Sequence, residues 1–231
     1  MNKYEIIQKF EKFAPIETAE SWDASGWLVE TTKKDISKIM FCLTPTDVIV
    51  HQAKNLDCDM IISHHPAFFV PCSWNDIDMY CAHTNMDKAK GGTTDTIIKT
   101  LGLENNIVNI EHEFLRFVEF KKGISIDEFS KKISKISPNA RIVNNKNIKI
   151  LKEVAFCAGS GSEFINEAQT LGADCLVTGD LKFHTALDSE IVVYDIGHFE
   201  SEILILPVFA NLLRNEVEYV FANESTPFQH I

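Results

Sequence analysis

The chain has 231 residues, 45% of them hydrophobic, which is enough to bury a core as one large or two small domains. Its 22 Lys and Arg against 33 Asp and Glu give a formal charge of −11, which makes sequence-independent nucleic-acid binding unlikely because that binding requires phosphate neutralisation. The polar first five residues do not resemble a signal peptide, and no apolar stretch approaches the roughly 18 residues of a membrane span.

The cysteines point to the redox environment. Six are present, mostly within apolar runs, and they form no C-x-x-C pair: Cys42, Cys58, Cys72, Cys81, Cys157 and Cys175. This pattern predicts reduced residues of a cytoplasmic protein, and not a disulfide framework or a zinc knuckle.

The first half of the sequence predicts alternating helices and strands. Apolar residues share one helical face over 2–13, and Pro15 ends that helix. The tryptophan-containing stretch 22–27 is predicted to be a loop. The following elements are predicted as a strand at 37–43, a helix at 46–56, strands at 59–63 and 79–82, and a helix from Thr93 or Thr94 to Leu101.

The second half begins with a crossover that carries one strand near 114–120. A capping box at residues 125–128 predicts a helix start, and the asparagine-rich turn at 144–147 joins two strands. The remaining elements are predicted as strands at 151–157, 174–178 and 190–195, a helix at 162–171 and a closing helix at 201–214.

An internal repeat links the two halves. Residues 38–87 align with residues 153–202 at a constant offset of 115 without a gap, and the order strand, helix, strand is preserved. His83 then aligns with His198, and Asp87 with Glu202. The repeat predicts two pseudo-symmetric α/β domains from an internal duplication, at 1–110 and 111–231, with the last helix packing back on the first half. No low-complexity linker separates them, so we expect a metal site in the cleft between the two.

The motif Ser63-His64-His65-Pro66 follows a short apolar strand. Successive strand residues point to opposite faces, so both rings can serve one site only where the strand ends. Pro66 favours that ending because it removes a ladder donor. Imidazole is the commonest protein ligand for transition metals, which makes His64 and His65 candidate ligands.

Three further candidate ligands come from the repeat. His198 and Glu202 are four residues apart on a predicted helix and therefore share one face, and Asp87 is the proposed counterpart of Glu202. With His64 and His65 these residues exceed the usual needs of one catalytic zinc ion, so they predict two metal ions with a bridging carboxylate. Mixed nitrogen and oxygen ligands suit zinc, iron, manganese, cobalt or nickel.

Two more histidines are candidates for catalysis. His83 could support a ligand or contact the substrate. His184, four residues after Asp180, could act as a general acid or base, and a hydrogen-bonded histidine at the rim is an equal alternative. His51, His112 and His230 have no partner motif. No separate cofactor-binding residues are predicted.

Taken together, the motifs resemble the GTP cyclohydrolase 1 type 2-like family, also called NIF-three-like. The resemblance covers nearly the whole chain, and it rests on Trp22-Asp23 with Gly26, Ser63-His64-His65-Pro66, His83-Thr84-Asn85-Met86-Asp87 with Gly91-Gly92, Thr178-Gly179-Asp180 and Gly197-His198-Phe199-Glu200-Ser201-Glu202. It implies interlocked α/β domains, a toroidal homohexamer, and a dinuclear site formed by His64, His65, Asp87, His198 and Glu202.

The family name implies hydrolytic opening of the guanine ring of GTP, and therefore a small anionic substrate, with a nucleotide as one option. Two alternatives remain open on the sequence: a metal-dependent phosphoesterase, and a non-catalytic metal-binding scaffold or regulatory protein. The chain has no Walker-type loop, so phosphate contacts are expected from Lys88, Lys90 or Lys182.

Overall fold

The computed structural model describes residues 1–214 and 216–229 as an α/β protein. Its α-helices are Lys3–Phe13 (α1), Asp47–Asn55 (α2), Thr84–Lys88 (α3), Thr93–Thr100 (α4), Ile126–Ile133 (α5), Ile165–Thr170 (α6), Phe183–Asp188 (α7), His198–Glu202 (α8) and Leu206–Leu212 (α9). Its strands are Gly26–Val29 (β1), Lys38–Cys42 (β2), Met60–Ser63 (β3), Asp78–Cys81 (β4), Ile107–Val108 (β5), Arg116–Ser125 (β6), Arg141–Val143 (β7), Ile150–Phe156 (β8), Cys175–Thr178 (β9), Val192–Asp195 (β10) and Glu218–Phe221 (β11). Within these residues, no helix has the length and apolar character needed to cross a membrane.

The chain divides into two compact units. The first comprises Met1–Gly92 together with the chain from Ile205 onward, and the second comprises Thr93–Leu204. The predicted boundary at residue 110 is wrong, because α4 packs its buried Ile97 and Ile98 into the core of the second unit. Helix α9 belongs to the first unit, where it packs against α1 and β2.

The first unit is built on a five-stranded sheet in the order β1-β4-β3-β2-β11. Strands β4, β3, β2 and β11 are parallel, whereas β1 lies antiparallel to β4 at one edge. The strands read as continuous apolar runs because helices cover both faces. Helix α2 packs Ile49 and Val50 on one face, and Phe10 and Phe209 meet Phe41 on the other.

The second unit has a six-stranded sheet in the order β5-β6-β8-β9-β10-β7. Strands β8, β9 and β10 are parallel, and β6 and β7 flank them antiparallel. Phe129 of α5 packs edge-on against Tyr194 on one face of the sheet, and Ala168 of α6 is buried on the other. Ser125 caps α5 by accepting the backbone N–H of Glu128, as the capping box predicts.

The strand register confirms the duplication. Ile39 of β2 lies opposite Met60 of β3, and Val154 of β8 lies opposite Cys175 of β9, so each member of the second pair follows its counterpart by 115 residues. The order strand, helix, strand is the same in both units.

The same side-chain contact also recurs in the two units. Asp59 accepts the backbone N–H of Ser37 at 2.6 Å, and Asp174 accepts that of Lys152 at 2.7 Å. Both residue pairs keep the offset of 115. Each carboxylate therefore binds the backbone near the amino end of the first strand of its repeat, which is β2 in one copy and β8 in the other.

The repeat is not free of gaps, and this corrects the sequence alignment. Asp78 lies opposite Met60, but Val192 lies opposite Cys175, so the offset is 114 from β4 and its counterpart β10 onward. The connection from β9 to β10 is one residue shorter than that from β3 to β4. His83 therefore corresponds to Gly197 and Asp87 to Ser201, and the predicted pairings with His198 and Glu202 are each wrong by one residue.

Other differences from the predicted elements have local causes. The closing helix predicted over 201–214 is interrupted: α8 ends at Glu202, a 3₁₀ turn follows, and α9 begins with Pro207 in its first turn, where a missing N–H is tolerated. Strand β1 occupies part of the predicted loop 22–27 and continues to Val29. Helices α3 and α7 and strands β5 and β11 were not predicted.

Candidate metal centre

The two adjacent histidines lie where β3 ends. The backbone N–H of His64 donates to the carbonyl oxygen of Cys42 at 3.1 Å, and that of His65 donates to the carbonyl oxygen of Leu43 at 2.7 Å. Their ring centroids are 5.2 Å apart, with 41° between the ring planes. The end of the strand thus brings both rings together, as the motif predicts.

His83 joins this pair. Its ring centroid lies 5.2 Å from that of His64 and 5.5 Å from that of His65. One ring nitrogen from each of the three histidines lies within 4.8 Å of the others. Three imidazole nitrogens grouped in this way could hold a metal ion. From the sequence, His83 was expected either to support a ligand or to contact the substrate, and its place within the histidine cluster was not foreseen.

Hydrogen bonds fix the orientation of two of these rings. Nδ1 of His64 lies 2.9 Å from the carbonyl oxygen of Ala82, which can only accept, so this nitrogen carries the proton. Nδ1 of His83 lies 2.9 Å from Oδ1 of Asp23 and donates to that carboxylate. In both rings the lone pair is therefore on Nε2, as in many metal-binding histidines.

Asp23 orients the ring of His83 through this hydrogen bond. In the sequence it stood out only as part of the loop 22–27 and of the family motif Trp22-Asp23. Its carboxylate also accepts the hydroxyl protons of Ser25 and Thr84, each at 2.6 Å. Burial raises the pKa of Asp23, but the hydrogen bonds from His83, Ser25 and Thr84 outweigh it and hold the pKa well below its usual range. A carboxylate stabilised in this way keeps its charge and holds His83 in one tautomer.

Asp87 reaches the same cluster from α3. Its Oδ1 lies 3.4 Å from Nε2 of His64, the nitrogen that carries the lone pair. Backbone N–H groups of Met86 and Asp87 both donate to the carbonyl oxygen of His83, which ties the start of α3 to the end of β4. The first unit therefore presents three imidazoles and one carboxylate.

In the second unit, His198 and Glu202 lie one turn apart on α8, as their spacing predicts. Nε2 of His198 lies 2.9 Å from Oε2 of the buried Glu202, and Nδ1 lies 2.7 Å from Oδ2 of Asp180. Burial lowers the pKa of His198, but the two carboxylates outweigh it and raise the pKa to about 9. Asp180 orients His198 as Asp23 orients His83.

Two glycines make room for this pair. Gly159 has φ of +61°, and a Cβ placed on it would lie 2.2 Å from Oε1 of Glu202. Gly179 precedes Asp180, and a Cβ there would lie 2.9 Å from the backbone N of His198. The loop Gly159-Ser160-Gly161-Ser162 thus approaches Glu202 directly at Gly159.

The other candidate residues lie elsewhere. His184 is exposed on α7, where it lines an open cleft of about 440 Å³ with Lys182 and Asp188. Lys88 forms an ion pair with Glu20 at 2.7 Å, and Lys90 is exposed.

The remaining histidines, for which the sequence showed no partner motif, belong, where the structure describes them, to neither group of candidate ligands. Nδ1 of His112 accepts two backbone N–H groups of its own loop, and His51 is an exposed residue of α2. His230 lies outside the described residues.

Exposed aromatic side chains neighbour the histidine cluster in sequence and space. Trp22 is 64% exposed, and its ring meets that of His83 edge-on at 6.4 Å between centroids. Phe68 and Phe69, which follow Pro66, are 77% and 81% exposed. Large aromatic side chains left in water beside polar groups are typical of binding surfaces.

Sequence comparisons identify the relatives of this chain. The profile of the family described as Duf34/NIF3 (NGG1p interacting factor 3) matches residues 1–227. A Clostridium perfringens protein named GTP cyclohydrolase 1 type 2 homolog is 32% identical over 263 aligned positions that cover both chains completely. The Drosophila melanogaster NIF3-like protein 1 is 30% identical, over 95% of this chain and 85% of its own.

Solved structures show the same fold. A Bacillus cereus protein related to NIF3 superposes with a TM-score of 0.87 at 20% identity, over 100% of this chain and 99% of its own. Reduced HcgD from Methanocaldococcus jannaschii superposes with a TM-score of 0.83 at 27% identity, over 97% of this chain and 98% of that one. The chain therefore shares its fold with these two proteins.

Proposed function

This chain belongs to the Duf34/NIF3 family, and on that premise we propose that it is a dinuclear metal-dependent hydrolase that opens the guanine ring of GTP. The observation that carries the proposal is the convergence of His64 and His65, whose ring centroids are 5.2 Å apart, with Asp87, whose Oδ1 lies 3.4 Å from Nε2 of His64. The relatives named GTP cyclohydrolase 1 type 2 homolog supply the substrate class.

The proposed ligands are His64, His65 and Asp87 of the first unit and His198 and Glu202 of the second. Nitrogen and oxygen donors of this kind suit zinc, iron, manganese, cobalt or nickel. The Nδ1 contacts of His64 and His198 support this assignment, because each orients its ring, as the hydrogen-bond partners of metal-binding histidines do. Two such ions, when bound, acidify a water molecule and stabilise developing negative charge.

Among the chain's own residues, His83 is proposed to move protons. Asp23 holds the proton on Nδ1, so the lone pair on Nε2 can accept a proton from water and return it to a ring nitrogen of the substrate. The imidazolium formed in this exchange is stabilised by the adjacent carboxylate. His184 stays a proposed acid or base at the rim, supported by its exposure on α7.

The substrate contacts proposed here combine a planar surface with cations. Trp22 offers an exposed ring beside His83, on which a purine base could stack. Phosphate groups would be bound by Lys88, Lys90 or Lys182, of which Lys88 would exchange its ion pair with Glu20 for the substrate.

Assembly and location complete the proposal. A homohexamer would have six times the 26.1 kDa mass of the chain, which light scattering measures directly. The exposed Phe68 and Phe69 support self-association through this face. A cytoplasmic location is supported by six cysteines that are all free thiols.

The decisive experiment is a product assay on GTP with metal-loaded protein. The proposal expects formate release that stops when the metal is removed, and about two metal ions per chain by elemental analysis. Glu202→Gln is the matched variant, because it removes charge while keeping shape; we expect it to lose metal and activity together.

Other products would overturn the assignment in different ways. Phosphate without formate would identify a phosphoesterase. Metal binding with neither product would identify a scaffold, and metal-supplemented protein that binds no metal would reject the dinuclear site itself.

A further inference from the structure

Thr44 contacts the ring of another candidate ligand, His65. It lies in the connection between β2 and α2, and its Oγ1 is 2.7 Å from Nδ1 of His65. The preceding residue, Leu43, accepts the backbone N–H of His65 at 2.7 Å. This connection therefore holds His65 at both its backbone and its ring, so the position of the connection sets the position of the ring.

Glu224, which lies 180 residues after Thr44, binds the backbone of the connection between β2 and α2. The carboxylate of Glu224 accepts the backbone N–H of Leu43 at 2.6 Å with one oxygen and that of Thr44 at 3.3 Å with the other. The segment that carries Glu224 is itself fastened, because Ala222 donates its N–H to the carbonyl oxygen of Phe41 at 2.8 Å. The segment from 222 to 224 thus continues from β11 onto the end of β2.

We propose that Glu224 is a positioning residue for His65, acting through Leu43 and Thr44. Two N–H groups at a strand end have no ladder partner of their own, and one carboxylate satisfies both with charge-assisted bonds. The carboxylate thereby fixes the Thr44 hydroxyl beside Nδ1 of His65. The metal consequence rests on the proposed function, whereas the orientation of the ring does not.

This role differs from simple attachment of the segment. Gln52 of α2 also fastens the segment: its side chain donates to the carbonyl oxygen of Asn223 at 3.0 Å and accepts the N–H of Asn223 at 2.9 Å. Those bonds do not involve Thr44 or Leu43. Gln52→Ala is therefore a matched control that loosens the same segment without removing the carboxylate.

The test compares Glu224→Gln with Gln52→Ala, each checked for folding by circular dichroism. In metal-free protein, nitrogen chemical shifts of the histidine rings report the tautomer and hydrogen bonding of His65. We expect these shifts to change in Glu224→Gln and to stay as in the parent protein in Gln52→Ala. We also expect the dissociation constant for Zn²⁺ to rise about 10–100-fold in Glu224→Gln only, as for other groups that orient metal ligands.

A double-mutant cycle tests whether Glu224 acts on His65 through Thr44. Glu224→Gln and Thr44→Val should each weaken Zn²⁺ binding, and the double variant should be little weaker than either alone. Additive losses, or a lower melting temperature in Glu224→Gln with unchanged His65 shifts, would overturn the proposal. If the parent protein binds no metal, the proposed function fails, but the chemical shifts of His65 still decide the role of Glu224. If Glu224→Gln does not fold, Glu224→Asp replaces it, because it keeps the charge on a shorter side chain, and the same changes in the His65 shifts are expected.

Discussion

Oε1 of Glu202 lies 2.2 Å from the point where a side chain on Gly159 would begin. The carboxylate therefore occupies space that exists only because residue 159 has no Cβ. Gly159 also donates its backbone N–H to Oγ of Ser201 at 2.9 Å, which draws the loop against α8. The position of a candidate metal ligand thus depends on a residue 43 positions earlier in the chain.

Gly159→Ala should displace Glu202 and lower the metal content of the protein to less than half. The matched control is Gly102→Ala, since Gly102 has φ of +67° against +61° at Gly159 but nothing within 4 Å of its Cβ position. Both variants should lose about 1–2 kcal/mol of stability from the left-handed backbone conformation. Elemental analysis and thermal unfolding measure the two effects separately. Equal metal content in the two variants would contradict the steric argument.

Removing the anchor of His198 should weaken metal binding without unfolding the protein. Asp180 has φ of +54°, so Asp180→Gly removes the carboxylate without adding backbone strain. We expect the dissociation constant for Zn²⁺ to rise about 10–100-fold, with a smaller increase in Asp180→Asn, which can still accept from Nδ1. Competition titration with a chromophoric chelator measures both. The prediction fails if Asp180→Gly binds Zn²⁺ as tightly as the parent protein.

Trp22→Ala should raise KM for GTP about tenfold and change kcat little. Stacking of a base on an aromatic ring contributes about 1–3 kcal/mol, and Trp22→Phe should keep part of it. Trp27→Phe is the control, because Trp27 packs edge-on against Tyr80 within the unit. Steady-state kinetics and light scattering are needed together. An altered assembly mass with unchanged KM would place Trp22 at a subunit interface.

Asp78→Ala should destabilise the protein by about 3–5 kcal/mol, because it removes the buried carboxylate that neutralises the ammonium group of Lys3 and leaves that group with the carbonyl oxygen of Thr31 at 2.6 Å and the more distant Glu30 at 3.9 Å. The two side chains are 1% and 0% exposed, and Nζ lies 3.1 Å from Oδ1. The exposed pair Lys146–Glu190, 2.8 Å apart, is the control, and Glu190→Ala should cost less than about 1 kcal/mol. Urea denaturation measures both, and equal costs would contradict the role of burial.

Sequence patterns were sufficient for the local parts of this site. The apolar run before Ser63 predicted β3 and its end, and the spacing of four predicted that His198 and Glu202 share a face. The duplication was visible because it preserves the order of elements. These features are encoded within a few residues of one another or repeated at a fixed distance.

The partners that orient the histidines were not predictable in this way. Asp180 lies 18 residues before His198, Asp23 lies 60 before His83, and Glu224 follows Thr44 by 180. Such contacts depend on how strands are ordered in the sheet, which leaves no periodic pattern in the sequence. The β1 and β11 edges were missed for the same reason, because short edge strands gain their stability from the neighbouring strand.

Equivalent positions in the two copies of the repeat carry different side chains. Helix α3 begins at Thr84 and its counterpart α8 begins at His198, which keeps the offset of 114, so the two helices start at the same point of the repeat with different residues. Two unaltered copies would display equivalent side chains at equivalent angles. Here one copy presents imidazoles at the end of a strand and the other presents one at the start of a helix. Duplication followed by divergence therefore gave the two copies different candidate ligands, which two identical copies would not offer.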